Sequence, residues 1–328
     1  MRTCYLHLGF HKTASTSFQK SCAYSRDALS SAGITYPLFD CIQSGIRGII
    51  NHSVPIHSLF CEEPAKYHIN IRRGLGDAAI SNLGFRTQLE TTLRNSESVI
   101  LSGEGISILS DDSLALVRDF IRGHGFEIFP FALVRSPYEF TCSQLGQLIK
   151  SGCYRPEVSF GRLFDHSAPK QPPHRLDEIT RIRKVFGNDA VLIPFSEACA
   201  DKEGPVGCLL RLIGLQDLSE IRIERANEAL GNTWIRLQNQ INRRSPALVD
   251  YQLNPSHYTL RKDIPSHSRF LLTEEELRQI RDSLENINSQ TEQLLGPRFL
   301  DQRLQVSMVL SDEDILNLAI HLSANEQA

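Results

Sequence analysis

The 328-residue chain lacks most of the features that assign a protein to a class at sight. Its eight Cys, at 4, 22, 41, 61, 142, 153, 199 and 208, form no CxxC pair. That excludes the zinc-ribbon and thioredoxin spacings, and the expectation is reduced, mostly buried thiols and no metal site. No stretch reaches about 18 apolar residues, so no membrane-spanning helix is expected. The opening MRTCYLHLGF carries a short apolar run broken by His7, unlike a secretory leader. Basic residues are not in excess: Lys+Arg is 35 against Asp+Glu 38, a net charge of -3. With no basic, aromatic-interleaved patch either, nucleic-acid binding is not expected. No internal repeat and no low-complexity tract is present. These absences point to the cytoplasm, and leave peripheral contact with a membrane and homo-oligomerisation open.

What is present is ordinary in amount and ordered in arrangement. Apolar residues are 41% and charged residues 22%, enough for a sizeable core without metals or disulfides. The length fits two domains or one large α/β domain with excursions. Arg outnumbers Lys 27 to 8, which on its own names no function.

Read along the chain, short apolar β-rich runs alternate with helical patterns. Residues 4–10 read as a strand, 11–19 open a helix, and 33–37 read as a second strand, which together form a βαβ unit. Residues 40–80 have no clean period and read as an insertion with one or two short helices. Residues 86–96 read as a helix, 98–105 as a buried strand, 111–125 as a helix with Leu114, Val117 and Ile121 facing inward, and 127–135 as a strand. Pro130 within that strand suggests a bulge or an edge. Residues 137–152 read as a helix with Pro at its first turn and Gly beyond its last. Beyond a Pro-rich loop at 167–174, residues 175–187 read as a helix, 190–198 as a strand and 204–215 as a short helix. Residues 221–242 read as a loop and helix, 273–296 as a capped helix, and 310–322 as a helix that docks or binds a partner.

The densest chemistry follows the first strand: Gly9, Phe10, His11, Lys12, Thr13, Ala14, Ser15, Thr16 and Ser17. A strand-to-helix turn presents free backbone N–H groups and the positive end of a helix dipole. Lys12 adds a point charge, and the hydroxyls add donors, which suits a phosphate-like group. The loop is not a Walker A motif, because Lys12 stands three residues after Gly9 rather than six. An ordinary capped helix start with an exposed Lys is the plainer alternative. A second strand ends in Arg135, a Pro-started helix follows at Pro137, and Ser143 lies eight residues after the Arg. Arg135 and Ser143 can share one anion, or can serve as a sheet cap and a core residue.

Together the two elements resemble the sulfotransferases that use 3′-phosphoadenosine 5′-phosphosulfate (PAPS), and among these the bacterial carbohydrate-type enzymes most. Lys12-Thr13-Ala14-Ser15-Thr16 is similar to the family's K-T-G-T-T-like loop, which grips the 5′-phosphosulfate. Arg135, Pro137 and Ser143 match its R-x-P…S signature for the 3′-phosphate, and Gly152 its closing Gly. His11 to Ser17 resembles the opening H-K-T-x-T-T-S, and Ser102-Gly103-Glu104 the S-x-E that ends the strand before the 3′-phosphate strand. Asn227, in a later segment, also fits the pattern. Ala14 departs from it, since Gly there lets the backbone approach the donor closely.

The resemblance implies a P-loop-kinase-like three-layer α/β sandwich with a central parallel sheet. It implies one sulfotransferase domain over 1–300, with an acceptor-side insertion at about 40–80 and a variable region at about 243–270, and then a helical extension at 301–328. Gly9, Lys12, Thr13, Ala14, Ser15, Thr16, Ser17, Arg135, Ser143 and Asn227 are its implied donor-binding residues, with PAPS as co-substrate and no metal. Lys12, Glu104 and His11 are the implied catalytic group. Glu104 is the first choice of general base, and His11, His7, His52, His57 and His68 are rivals. The implied acceptor is a glycan or glycolipid. Tyr67, Arg72, Arg73, Trp234 and Arg236 are candidates to line its pocket, with surface or packing roles as the plainer alternative. A small-molecule or natural-product sulfotransferase, an ATP-dependent small-molecule kinase and a non-catalytic nucleotide-binding or assembly protein of the same fold stand as alternatives.

Overall fold

The computed structural model describes residues 1–72, 78–160, 171–226, 230–249, 252–261, 264 and 268–308, with the backbone alone at His68 and Arg72. β1 (Arg2–Leu8) leads into α1 (Ser15–Tyr24), α2 (Arg26–Ser31) and β2 (Ile34–Thr35). The irregular stretch after it folds as an antiparallel pair, β3 (Phe39–Cys41) and β4 (Ile46–Ile49), then α3 (Ser53–Phe60), α4 (His68–Arg72) and α5 (Ala78–Asn95). Next come β5 (Ser98–Gly103), α6 (Glu104–Ser107), α7 (Asp111–Gly123), β6 (Phe126–Val134) and α8 (Pro137–Lys150). α9 (Leu176–Phe186), β7 (Val191–Pro194), α10 (Phe195–Cys199) and α11 (Gly204–Leu212) follow. The described elements close with α12 (Asn232–Arg244), the pair β8 (Leu248–Val249) and β9 (Gln252–Leu253), and α13 (Glu274–Leu295).

The chain forms two compact units: Met1–Arg135 with Arg175–Asn227, and Ser136–His174 with Glu228–Ala328. The first is an α/β fold around a five-stranded sheet in the order β2-β5-β1-β6-β7, every pair parallel. Parallel strands need crossovers, and crossovers are right-handed. From β1 the chain moves to one side of the sheet, toward β2, whereas from β5 it moves to the other, toward β6. The helices after β1 and after β5 therefore cover opposite faces. On one face Phe18, Cys22 and Leu29 from α1 and α2, with Val206, Leu209 and Leu210 from α11, pack on Ile100, Phe131 and Leu133. On the other, α7 packs on β6 and α9 on α7, each through a buried apolar stripe. β1 lies at the switch between these directions, where ligands of open α/β sheets bind beyond the carboxyl ends of the strands.

Two local expectations are adjusted. Pro130 lies in an internal strand, but β7 pairs with β6 only from Phe131 onward, so one side of β6 is open where the proline lacks its N–H. The run 190–198 is half strand and half helix, with β7 ending at Pro194 and α10 starting at Phe195.

The second unit buries Tyr138, Cys142 and Leu145 of α8 against Trp234 and Ile235 of α12 and Leu277, Ile280 and Leu284 of α13. Thr273 and Glu276 form a reciprocal capping box at the start of α13. Glu276 also takes both Nη groups of Arg236, and each side chain of the pair is only 1% exposed. Arg236 and Trp234 are thus core residues, and the packing alternative holds for both as against an acceptor pocket. Asp301 caps α8 by accepting from the Tyr138 N–H at 2.9 Å and from the Ser136 hydroxyl. The expected helix at 310–322 lies outside the described residues. Among the described residues, no helix is long and apolar enough to cross a membrane.

Candidate functional site

The turn from β1 into α1 is built from unusual backbone. Lys12 (φ 69°) and Ala14 (φ 63°) are the non-glycine residues at positive φ among the described residues. Alternation of left-handed and ordinary backbone turns successive N–H groups toward one side, the geometry of an anion nest. Ala14 occupies the cap position of α1 with no side-chain bond to the first-turn N–H groups. The positive end of the helix is therefore left for another partner. Gly9 is required by contact: a Cβ there would meet Ser15 Oγ at 2.7 Å and the Glu104 backbone N at 3.3 Å.

The hydroxyls of this loop mostly hold the loop itself. Thr13 Oγ1 donates to Phe10 O at 2.7 Å and Ser15 Oγ to the same oxygen at 3.1 Å, both from buried side chains. Ser17 Oγ accepts from the Ala226 N–H at 3.0 Å, Ser21 Oγ from Glu224 at 2.8 Å and Ser25 Oγ from Arg222 at 2.8 Å. Every fourth residue of a helix rises about 6 Å, and every second residue of an extended chain about 6.6 Å. The Ser17, Ser21 and Ser25 ladder therefore lays segment 222–226 along α1. Its four-residue spacing was visible in the sequence, but its partner was not. Thr16, on the first turn of α1, is partly exposed.

Arg135, at the end of β6, donates its Nε–H to the Lys12 carbonyl, and its guanidinium stacks over Phe195, 4.0 Å from the ring centroid. One Arg thus ties the end of β6 to the turn after β1. Ser107 ties a third corner, donating to Glu104 O at 2.9 Å and lying 3.1 Å from Gly9 O. Sequence reasoning singled out neither Phe195 nor Ser107, since neither belongs to a motif.

Glu104, first residue after β5, and His11, third after β1, meet at Oε2 to Nδ1, 2.8 Å apart. The imidazole is 41% exposed and the carboxylate 24%, so the ring is the more open of the two. An ionised carboxylate only accepts, so His11 Nδ1 carries the hydrogen and the lone pair of the neutral ring is on Nε2.

The rival histidines take other roles. His7 is wholly buried between Phe18 and Phe131, its Nδ1 2.8 Å from Ser102 Oγ, and burial pushes its pKa down to about 3. His52 is also buried. Its Nδ1 accepts from the Ser102 N–H at 2.9 Å, its Nε2–H donates to Pro37 O at 2.8 Å, and burial lowers it to about 4. Neither reaches solvent to serve as a base. His57 donates from Nδ1 to Gly105 O at 2.7 Å and stacks on the buried Tyr67 ring at 4.1 Å. The His68 side chain, Arg73 and Asn227 lie outside the described residues. Ser143 is on α8 in the second unit. The group that the first unit brings together is Gly9 to Ser17, Glu104 and Arg135. Among the described residues no set of three or more His, Cys, Asp or Glu is placed to hold a metal ion.

Among solved structures, retinol dehydratase in complex with androsterone and the inactive cofactor PAP is similar to this chain at 10% identity and a TM-score of 0.31. The match spans 93% of this chain and 83% of that one. A likeness at that level carries no argument about fold or function. No family model matches the sequence, and no curated protein matches it.

Proposed function

We propose that the protein transfers a sulfonate group from PAPS to an acceptor hydroxyl or amine. The observation that carries this reading is the pairing of two devices at one sheet edge. One is a nest-like turn with an uncapped helix start and Lys12. The other is a His–carboxylate pair formed by His11 and Glu104. The first suits the phosphosulfate of a donor, and the cradle at Gly9 leaves no room for a side chain there. The second suits removal of a proton from an acceptor.

In this reading the α1 N-terminus, the backbone N–H groups of residues 13–17 and Thr16 hold the 5′-phosphosulfate. Arg135 steadies the Lys12 backbone and contributes charge for the 3′-phosphate. His11 Nε2 takes the acceptor proton as the new bond forms, S–O with a hydroxyl or S–N with an amine, while Glu104 fixes the ring tautomer and stabilises the imidazolium. As the old S–O bond breaks, its electron pair stays on the phosphate oxygen, where Lys12 neutralises the charge; adenosine 3′,5′-bisphosphate leaves. A glycan or glycolipid is the proposed acceptor class.

The test is release of adenosine 3′,5′-bisphosphate from PAPS across a panel of sugars, glycolipids and phenols, with ATP and the same acceptors in parallel. Acceptor-dependent release from PAPS supports the reading. Consumption of ATP instead moves the protein to the kinase alternative.

A further inference from the structure

Glu104 is gripped on both sides by one short stretch, the start of α3. Before Glu104, the His52 N–H donates to Ser102 O at 2.9 Å, and the Ser102 N–H donates to His52 Nδ1 at 2.9 Å. After it, the Gly105 N–H donates to Ser53 Oγ at 2.7 Å, and His57 Nδ1 donates to Gly105 O at 2.7 Å. Four hydrogen bonds thus fix the residues at 102 and 105.

The two glycines that flank Glu104 are needed for this approach. A Cβ on Gly103 would lie 2.4 Å from the Ser53 N, and one on Gly105 2.9 Å from Ser53 Cβ and 3.0 Å from Tyr67 Oη. The clamp itself is held from behind. Both ring nitrogens of His52 are engaged, its ring packs 4.6 Å from Tyr36, and Asn51 Oδ1 accepts from the Ser53 N–H at 2.9 Å. The backbone at 102 and 105 is buried, where N–H and C=O groups need protein partners, and this one stretch supplies the set. Its effect is to hold one side chain, Glu104, where it meets His11.

We propose that His52, Ser53 and His57 are positioning residues that orient the Glu104 carboxylate on His11 and thereby set the Nδ1–H tautomer of that ring. Their catalytic consequence rests on the sulfonate-transfer reading, but the tautomer does not. The insertion expected on the acceptor side thus supplies a support for the base pair.

The experiment uses the full-length chain with 15N-labelled histidine. Ring-nitrogen shifts of His11 at a pH where the ring is neutral report which nitrogen carries the hydrogen. The wild type is expected in the Nδ1–H form. Ser53→Ala removes the acceptor for Gly105, and His57→Phe keeps a stacking ring but no donor. Each is expected to move His11 toward the Nε2–H form favoured in free histidine, in a chain that still unfolds cooperatively. His57→Asn, with a donor in place of Nδ1, is expected to restore the wild-type signal. With an acceptor in hand, the same two variants should lose roughly 10- to 100-fold in kcat, with the KM for PAPS unchanged. Wild-type His11 signals in folded Ser53→Ala and His57→Phe overturn the positioning role. A shifted tautomer in a protein with no PAPS activity upholds the positioning and overturns the function instead.

Discussion

His11 and Glu104 are 93 residues apart in sequence and 2.8 Å apart in space, Nδ1 to Oε2. The parallel pairing of β1 with β5 makes this possible. Leu8 stands beside Gly103, so the residues just past both strands emerge at one edge. The carboxylate selects one tautomer of the ring and leaves Nε2 as its basic atom.

The pair predicts unequal losses. Glu104→Gln keeps the size of the side chain but loses its charge, and an amide can also present a donor to Nδ1 and impose the wrong tautomer. kcat should fall by about 10³- to 10⁴-fold, by analogy with carboxylate-to-amide changes in His-based triads. Donor affinity should hold. Steady-state kinetics with separate kcat and KM check this, and full kcat in Glu104→Gln removes the carboxylate from the role.

Ala14 is a left-handed residue with a Cβ, at φ 63° and ψ 15°. That conformation costs an L-residue about 1–2 kcal/mol, which glycine avoids at some cost in unfolded-chain entropy. Ala14→Gly should therefore stabilise the protein by about 0.5–1 kcal/mol in urea unfolding. It should also tighten binding of adenosine 3′,5′-bisphosphate, because the backbone can then close on the anion. A destabilised variant contradicts the assigned strain.

Acid should weaken the fold before the carboxylates titrate. His7 and His52 are held neutral by burial, their pKa values pushed down to about 3 and about 4. In the unfolded chain they protonate near about 6.5. The sign follows: their contribution is intact above about 6.5 and is lost progressively as pH falls toward the folded values. Each should subtract up to about 1.4 kcal/mol per pH unit in that range. Urea unfolding between pH 6.5 and 5 measures the slope, and a flat profile contradicts it.

The second unit makes a separate prediction. Burial alone would raise the pKa of Glu276, but the paired Arg236 guanidinium, with Ser159 and the Thr273 N–H, brings it below the ordinary carboxylate value. A lowered folded pKa means stability that is present above the unfolded carboxylate pKa and lost as pH falls through the folded one. Arg236→Met leaves Glu276 buried without its partner and should cost about 3–5 kcal/mol at neutral pH. Thermal unfolding against the double variant Arg236→Met/Glu276→Leu reads the coupling, since removing both charges should restore most of the loss.

Much of the first unit was legible because its strands are short apolar runs bounded by Gly, and its helices carry clear inward stripes, as in Leu114, Val117 and Ile121. The turn at Gly9 to Ser17 was legible from residue types alone. What escaped was contact between distant segments. Ser17 reads as a donor ligand in the motif, but in the fold its hydroxyl serves Ala226. His52 reads as a possible base, but it is sealed beneath β5. Arg236 reads as a candidate to line an acceptor pocket, but Glu276, 40 residues on, pairs with it in the core. Ser53 carried no signal at all.

In the proposed function the turn after β1 binds the phosphosulfate end of PAPS. Calorimetric titration of adenosine 3′,5′-bisphosphate into the full chain, with ATP as the comparison ligand and Lys12→Ala as the variant, tests it most directly. Saturable one-site binding, tighter than that of ATP and weakened in folded Lys12→Ala, is expected. No binding, or equal binding by wild type and Lys12→Ala, contradicts it.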